Sequence, residues 1–132
     1  MVILLRPPFM ADALDVVTRS FNINNKLGPK LEVAAEQNAI LRIGWTNAGD
    51  PVPKNGELGL CPAIPEGAKI RALGTFGSWT AAFGKGGSFN IQGDSGSFLG
   101  AANNGNVITC ERSAGNYSGF AMASGKISIL DG

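Results

Sequence analysis

Gly93-Asp-Ser-Gly-Ser-Phe-Leu-Gly-Ala-Ala-Asn-Asn-Gly-Asn-Val-Ile-Thr-Cys-Glu111 decides the fold, because its residue types recur at the same offsets on both sides of it. Units start at Gly56, Gly74, Gly93 and Arg112, spaced 18, 19 and 19, and cover 56–73, 74–92, 93–111 and 112–130. Three residues in, each unit has a glycine: Gly59, Gly77, Gly96 and Gly115. Five in come Cys61, Trp79, Phe98 and Tyr117; seven in come Ala63, Ala81, Gly100 and Gly119. Later offsets bring a second glycine (Gly67, Gly87, Gly105, Gly125). The apolar pairs Ile70/Ala72, Phe89/Ile91, Ile108/Cys110 and Ile127/Ile129 follow, the first after a one-residue deletion. Chance produces one such column, not five.

Each unit therefore reads as a glycine turn, an aromatic anchor, a small residue, a second turn and a strand with two inward side chains. Glycines at fixed phases suit corners that need positive φ, and small residues let one backbone layer lie close to the next. Stacked at ~4.8 Å, the units align Trp79, Phe98 and Tyr117 in an expected internal column. The fold class expected is all-β: a β-solenoid or β-helix of four units. The alternative is a β-sandwich or small barrel, since two short strands per unit also suit such folds.

Upstream, Ala39, Leu41, Ile43 and Trp45 alternate with polar or exposed-type positions, the period-two pattern of a half-buried strand. Asn47 to Gly56 collects turn formers and reads as a loop. Residues 1–30 read as an irregular N-terminal arm: Pro7-Pro8 breaks its start, and Ala11 to Arg19 suits either a short helix or extended chain. The domain organisation expected is thus an arm over 1–30 and one β domain over 31–132.

Gly93 to Ala102, with Ser113-Ala-Gly-Asn-Tyr-Ser-Gly-Phe-Ala-Met-Ala-Ser-Gly-Lys-Ile-Ser-Ile-Leu-Asp-Gly132, resembles the GXGXG repeat. That repeat forms the β-helix domain of glutamate synthase large subunits and makes up most of one of the subunits of formylmethanofuran dehydrogenase. The resemblance covers residues 56–132 and is most specific over the last two units. It implies a right-handed β-helix that contributes no catalytic residue and acts as a scaffold. It further implies corner or packing roles for Gly96, Gly100, Gly115, Gly119 and Gly125, with Ile127 and Ile129 facing inward.

Eleven basic against ten acidic residues, with Lys and Arg scattered singly from Arg6 to Lys126, give no stripe able to track phosphates. Nucleic acid is not an expected partner. The apolar run at Val2 to Leu5 is too short for a signal segment or a membrane span, so a cytoplasmic protein is expected, or a virion component in the alternative reading below. Cys61 and Cys110 lack CxxC spacing, and the chain has no histidine, so no metal site is read. Buried free thiols are expected, with a Cys61–Cys110 disulfide as the alternative.

Gly93-Asp94-Ser95-Gly96 looks like a protease nucleophile loop, but activating a serine needs an oriented base and no histidine is present. It also falls at the same phase as Gly74 to Gly77 and Arg112 to Gly115, which makes it a corner; a hydrolase using Ser95 would need a base from another chain. Gly84-Lys85-Gly86-Gly87-Ser88 lacks the P-loop spacing and its following helix, and reads as an exposed turn. Asp50, Glu57, Glu66, Asp94, Glu111 and Asp131 show no pairing on one face. No catalytic, cofactor-binding or metal residue is assigned.

The function expected is that of a non-catalytic structural or assembly protein. It would dock onto other chains, or onto copies of itself, through exposed strand edges and the N-terminal arm. The alternative is a virion structural protein, a capsid decoration or tail component, whose arm reaches a neighbour. No cap is read after Ile127 to Leu130, so a partner is expected over that end.

Overall fold

The computed structural model describes residues 8–44 and 56–130, with side chains from Asp15 onward. The expectations for Trp45, for Asp50 and for Asp131 lie outside the described residues. A single helix, α1 (Pro8–Gln37), precedes five strands: β1 (Ile40–Ile43), β2 (Lys69–Leu73), β3 (Ser88–Gln92), β4 (Asn104–Cys110) and β5 (Ser124–Ile129). The strands form one sheet in sequence order, and every neighbouring pair is parallel. Parallel neighbours separated by a full unit define a β-solenoid; a meander sandwich or barrel would pair them antiparallel.

Register confirms the two inward columns. Leu41, Ile70, Phe89, Ile108 and Ile127 stand above one another, as do Ile43, Ala72, Ile91, Cys110 and Ile129. Ile70, Ala72, Phe89, Ile91, Ile108 and Cys110 are buried and form the core with Leu60, Ile64, Phe76 and Leu99 from the corners. Phe76 meets Phe89 edge to face at 5.9 Å. The half-buried strand read before the repeat is thus its first rung, and only Ile43 of β1 is fully buried. Asn104 to Val107 carries a register irregularity. There Asn103 and Asn106, both buried, exchange side-chain and backbone hydrogen bonds of 2.7 and 2.8 Å, and Asn106 donates to Gly86 O at 2.6 Å.

Two sequence expectations change in the corners. Backbone pairing sets Gly59, not Cys61, under Trp79, because Gly59 N–H bonds Ser78 O as Trp79 N–H bonds Ser97 O. Cys61 instead shares a column with Ala81, Gly100 and Gly119: Ala81 N–H bonds Leu60 O as Gly100 N–H bonds Thr80 O. The first unit has one residue fewer in this corner and regains it before β2, so the strand columns stay in step.

The second change concerns the aromatic column, which is external. Trp79, Phe98 and Tyr117 have φ of 64°, 60° and 62°. The rings stack, with Trp79 and Phe98 4.3 Å apart and 3° from parallel, and Phe98 and Tyr117 at 5.2 Å and 19°. Trp79 is nevertheless 43% exposed and Tyr117 66%. Non-glycine residues in the left-handed region cost about 1–2 kcal/mol each, and they persist here because each corner is hydrogen-bonded to its neighbouring coils.

The irregular arm expected over 1–30 is, from Pro8 onward, a helix that runs through Pro29 to Gln37, so the boundary drawn at residue 30 falls inside it. Pro29 removes an N–H, yet Leu27, Leu31 and Ala34 flank it and bury against the core. Ser20, Asn24, Leu27, Leu31 and Ala34 form one stripe at helical spacing. Asn38, with φ of 52°, ends the helix in the left-handed conformation, and Ala39 N–H returns to Ala34 O at 3.0 Å.

Candidate docking surfaces

The polar half of the α1 stripe does the work of a preceding coil. Asn24 donates its amide to Gly59 O at 2.9 Å and accepts from Cys61 N–H at 3.0 Å, and Ser20 Oγ accepts from Leu58 N–H at 2.7 Å. These are edge groups that would otherwise face the core end without a partner. Arg19 Nε lies 3.5 Å from the carboxylate of Glu57, a residue only 1% exposed, and supplies the positive charge its burial demands. The first corner is therefore covered by α1, a role not read from the sequence.

The opposite end is open among the described residues. β5 pairs with β4 alone, so its other edge presents unpaired backbone. Ile127 and Ile129, which continue the columns of buried Phe89/Ile108 and Ile91/Cys110, are only partly covered. Tyr117, Phe120 and Leu130 are more than half exposed, with Phe120 edge-on to Phe98 at 5.6 Å. The stacked row gives this end an unpaired ring face, that of Tyr117.

The sequence-level candidates resolve as structural positions. Ser95 is buried in the corner column Phe76, Ser95 and Ala114, with Ser95 bridging Ala114. Asp94 accepts from Ser113 N–H at 3.0 Å. Among the described residues the serine hydroxyl has no hydrogen-bond partner and no base contacts it. Of the Gly84–Ser88 loop only Lys85 and Ser88 are exposed; Gly84 and Gly86 are buried, and Gly86 O faces Asn106. The turn is packed against its neighbour rather than free. Among the described residues, no group of three metal-ligating side chains converges.

Gly96 and Gly115 are packing glycines: a Cβ there would lie 2.6 Å from Ser78 N and 2.7 Å from Ser97 N. Gly100, Gly119 and Gly125 occupy positive φ. Cys61 and Cys110 are free, which removes the disulfide alternative. Burial pushes the Cys61 thiol up to about 12, and burial also raises that of Cys110. Both are thus poor nucleophiles.

The outward face of the sheet was not legible as a surface. Arg42 of β1 stands beside Arg71 of β2, and Lys69 precedes Arg71 by two residues on the same face. All three are exposed, and none has an ion pair among the described residues. Basic residues that look scattered along the chain are brought together because parallel pairing superposes residues 29 positions apart. A cleft of about 280 Å³ opens here, lined by Ile40, Lys69, Arg71, Asn90, Val107 and Thr109 among others. Among the described residues no helix is long and apolar enough to cross a membrane.

Comparison with family models, with curated proteins and with solved structures found no match.

Proposed function

We propose that the chain is a non-catalytic assembly element, a β-solenoid scaffold whose open coil end docks onto another chain or a second copy. One observation carries this reading: α1 closes the first corner, burying Leu27 and Leu31 there and answering Gly59 O and the Leu58 and Cys61 N–H groups, whereas the last rung leaves Ile127 and Ile129 partly covered beside exposed Tyr117, Phe120 and Leu130. An exposed parallel edge flanked by Tyr117, Phe120 and Leu130 combines unpaired backbone with apolar area, the pairing that recruits a further strand or coil. The GXGXG scaffold domains of glutamate synthase-type complexes are the arrangement it resembles. The alternative is a virion structural protein, a capsid decoration or tail component; the scaffold reading is favoured because Ile23, Leu27, Leu31 and Ala35 of α1 pack on this chain's own solenoid.

Native mass measurement tests the proposal. Wild-type protein is expected above the 13.6 kDa of one chain, alone or with a co-purifying partner from its native source. The double variant Tyr117→Glu, Phe120→Glu is expected to run as a single chain that still unfolds cooperatively, its melting temperature lowered only by the loss of two ring contacts to Phe98. A wild type that stays a lone monomer at high concentration and captures no partner ends the reading.

A further inference from the structure

We propose that the outward face of the sheet over β1–β4 binds an acidic oligosaccharide, laid across the strands along the stacking direction. This goes beyond the assembly reading and uses a different surface, so either stands or falls without the other.

The first argument is charge. Neighbouring like charges across a strand pair are unfavourable, and Arg42 pairs directly with Arg71, which lines the cleft together with Lys69 and with no acid among its described lining. An anionic ligand removes that repulsion and takes up donors the fold leaves unused. Arginine's fork matches a carboxylate in two-point contact.

The second argument is the cleft floor. Beyond the cations it continues through Ser88, Asn90 and Thr109, neutral groups suited to hydroxyls. Asn90, half-buried, contributes its side-chain amide to this floor. A ligand that brings both acid groups and hydroxyls satisfies the two ends of the cleft together. The cleft crosses four strands, which at ~4.8 Å per step is a span of about 14 Å, the length of a short chain and more than one small anion needs.

The third argument is exclusion by chemistry. Phe89 lines this cleft, but its ring is buried in the core against Phe76, so no exposed ring is offered there to stack on nucleobases. An extended peptide gains its backbone hydrogen bonds at a strand edge, whereas the strands under this cleft are already paired to one another.

Isothermal titration of the full chain with a tri-uronic acid oligomer decides the matter. Saturable binding is expected, weakened about tenfold in Arg71→Ala, the size of one lost charge-assisted hydrogen bond, and also weakened in Asn90→Leu. A neutral trisaccharide of the same length is expected to give no saturation. Absence of binding by the uronic oligomer, an unchanged affinity in Arg71→Ala, or equal binding by oligoglutamate or oligothymidylate overturns the proposal. Arg71 is exposed and its replacement leaves the core intact, so its result stands even if Asn90→Leu fails to fold.

Discussion

The two ends of the solenoid present the same columns under different covers. At the first coil, Leu27 and Leu31 join the same core cluster as Leu60, Ile64 and Ile70, and corner backbone is answered by Asn24 and Ser20. At the last, Ile127 and Ile129 are half-covered and Tyr117, Phe120 and Leu130 stand exposed. The inward strand columns run through both ends. Strand stacking therefore propagates the fold but does not finish it. Closing an end takes a separate element that is apolar toward the core and polar toward the edge.

Truncation across the two ends gives the largest contrast. Leu31→Ala should destabilise by about 3 kcal/mol, the range for a buried leucine that leaves a cavity. Ile129→Ala should cost about 1 kcal/mol because its side chain is only partly buried. Chemical denaturation measures both, and equal losses would erase the distinction between sealed and open ends.

Gly96→Val, in the interior coils, should cost about 2 kcal/mol because the new Cβ meets backbone 2.6 Å away. Gly115→Val should cost less, provided the outer coil can shift, and comparing melting temperatures of the pair reports that freedom. Asn24→Ala removes partners of two edge groups and should cost about 1–3 kcal/mol. Asn24→Asp, which keeps only the acceptor, should lose about half of that.

The thiols sharpen the comparison through pH. A group whose folded pKa is raised holds its proton in the native state after the unfolded chain has released it, so stability falls as pH rises. For Cys61 the window runs from its ordinary 9.0 to about 12, and the slope is about 1.4 kcal/mol per pH unit. Melting followed from pH 8 to 11 should show the decline. Cys61→Ala should remove most of it, leaving the smaller contribution of Cys110 near the open end.

The smallest effect expected is at the exposed corner. Ala121 has φ of 57°, and Ala121→Gly should stabilise by about 0.5 kcal/mol, relief of strain slightly exceeding the entropy glycine adds to the unfolded chain.

Much of the strand layer was legible from residue types alone, because inward positions 19 residues apart must be apolar together: Phe89, Ile108 and Ile127 are the case in point. The corners were harder. Trp79, Phe98 and Tyr117 occupy a left-handed conformation usually left to glycine, which directs their rings to the surface, and an aromatic residue gives no sign of its φ. The shift at Gly59 was hidden because the first unit loses and regains one residue between turns. The helix was masked by Gly28-Pro29 and by a stripe that changes from Ser20 and Asn24 to Leu27 and Leu31, so no uniform apolar face announces it. The outward cations became a surface only when pairing set Arg42 beside Arg71.

The helical cap also gives the molecule a direction in time. Each coil touches chiefly its neighbours, so opening and closing proceed rung by rung as in a one-dimensional chain, and the end held by α1 is the costliest to open. Amide exchange is then expected to be graded, fastest along β5 and slowest in β2 and β3. Refolding should run from the helix outward, the way a zipper closes from its anchored stop.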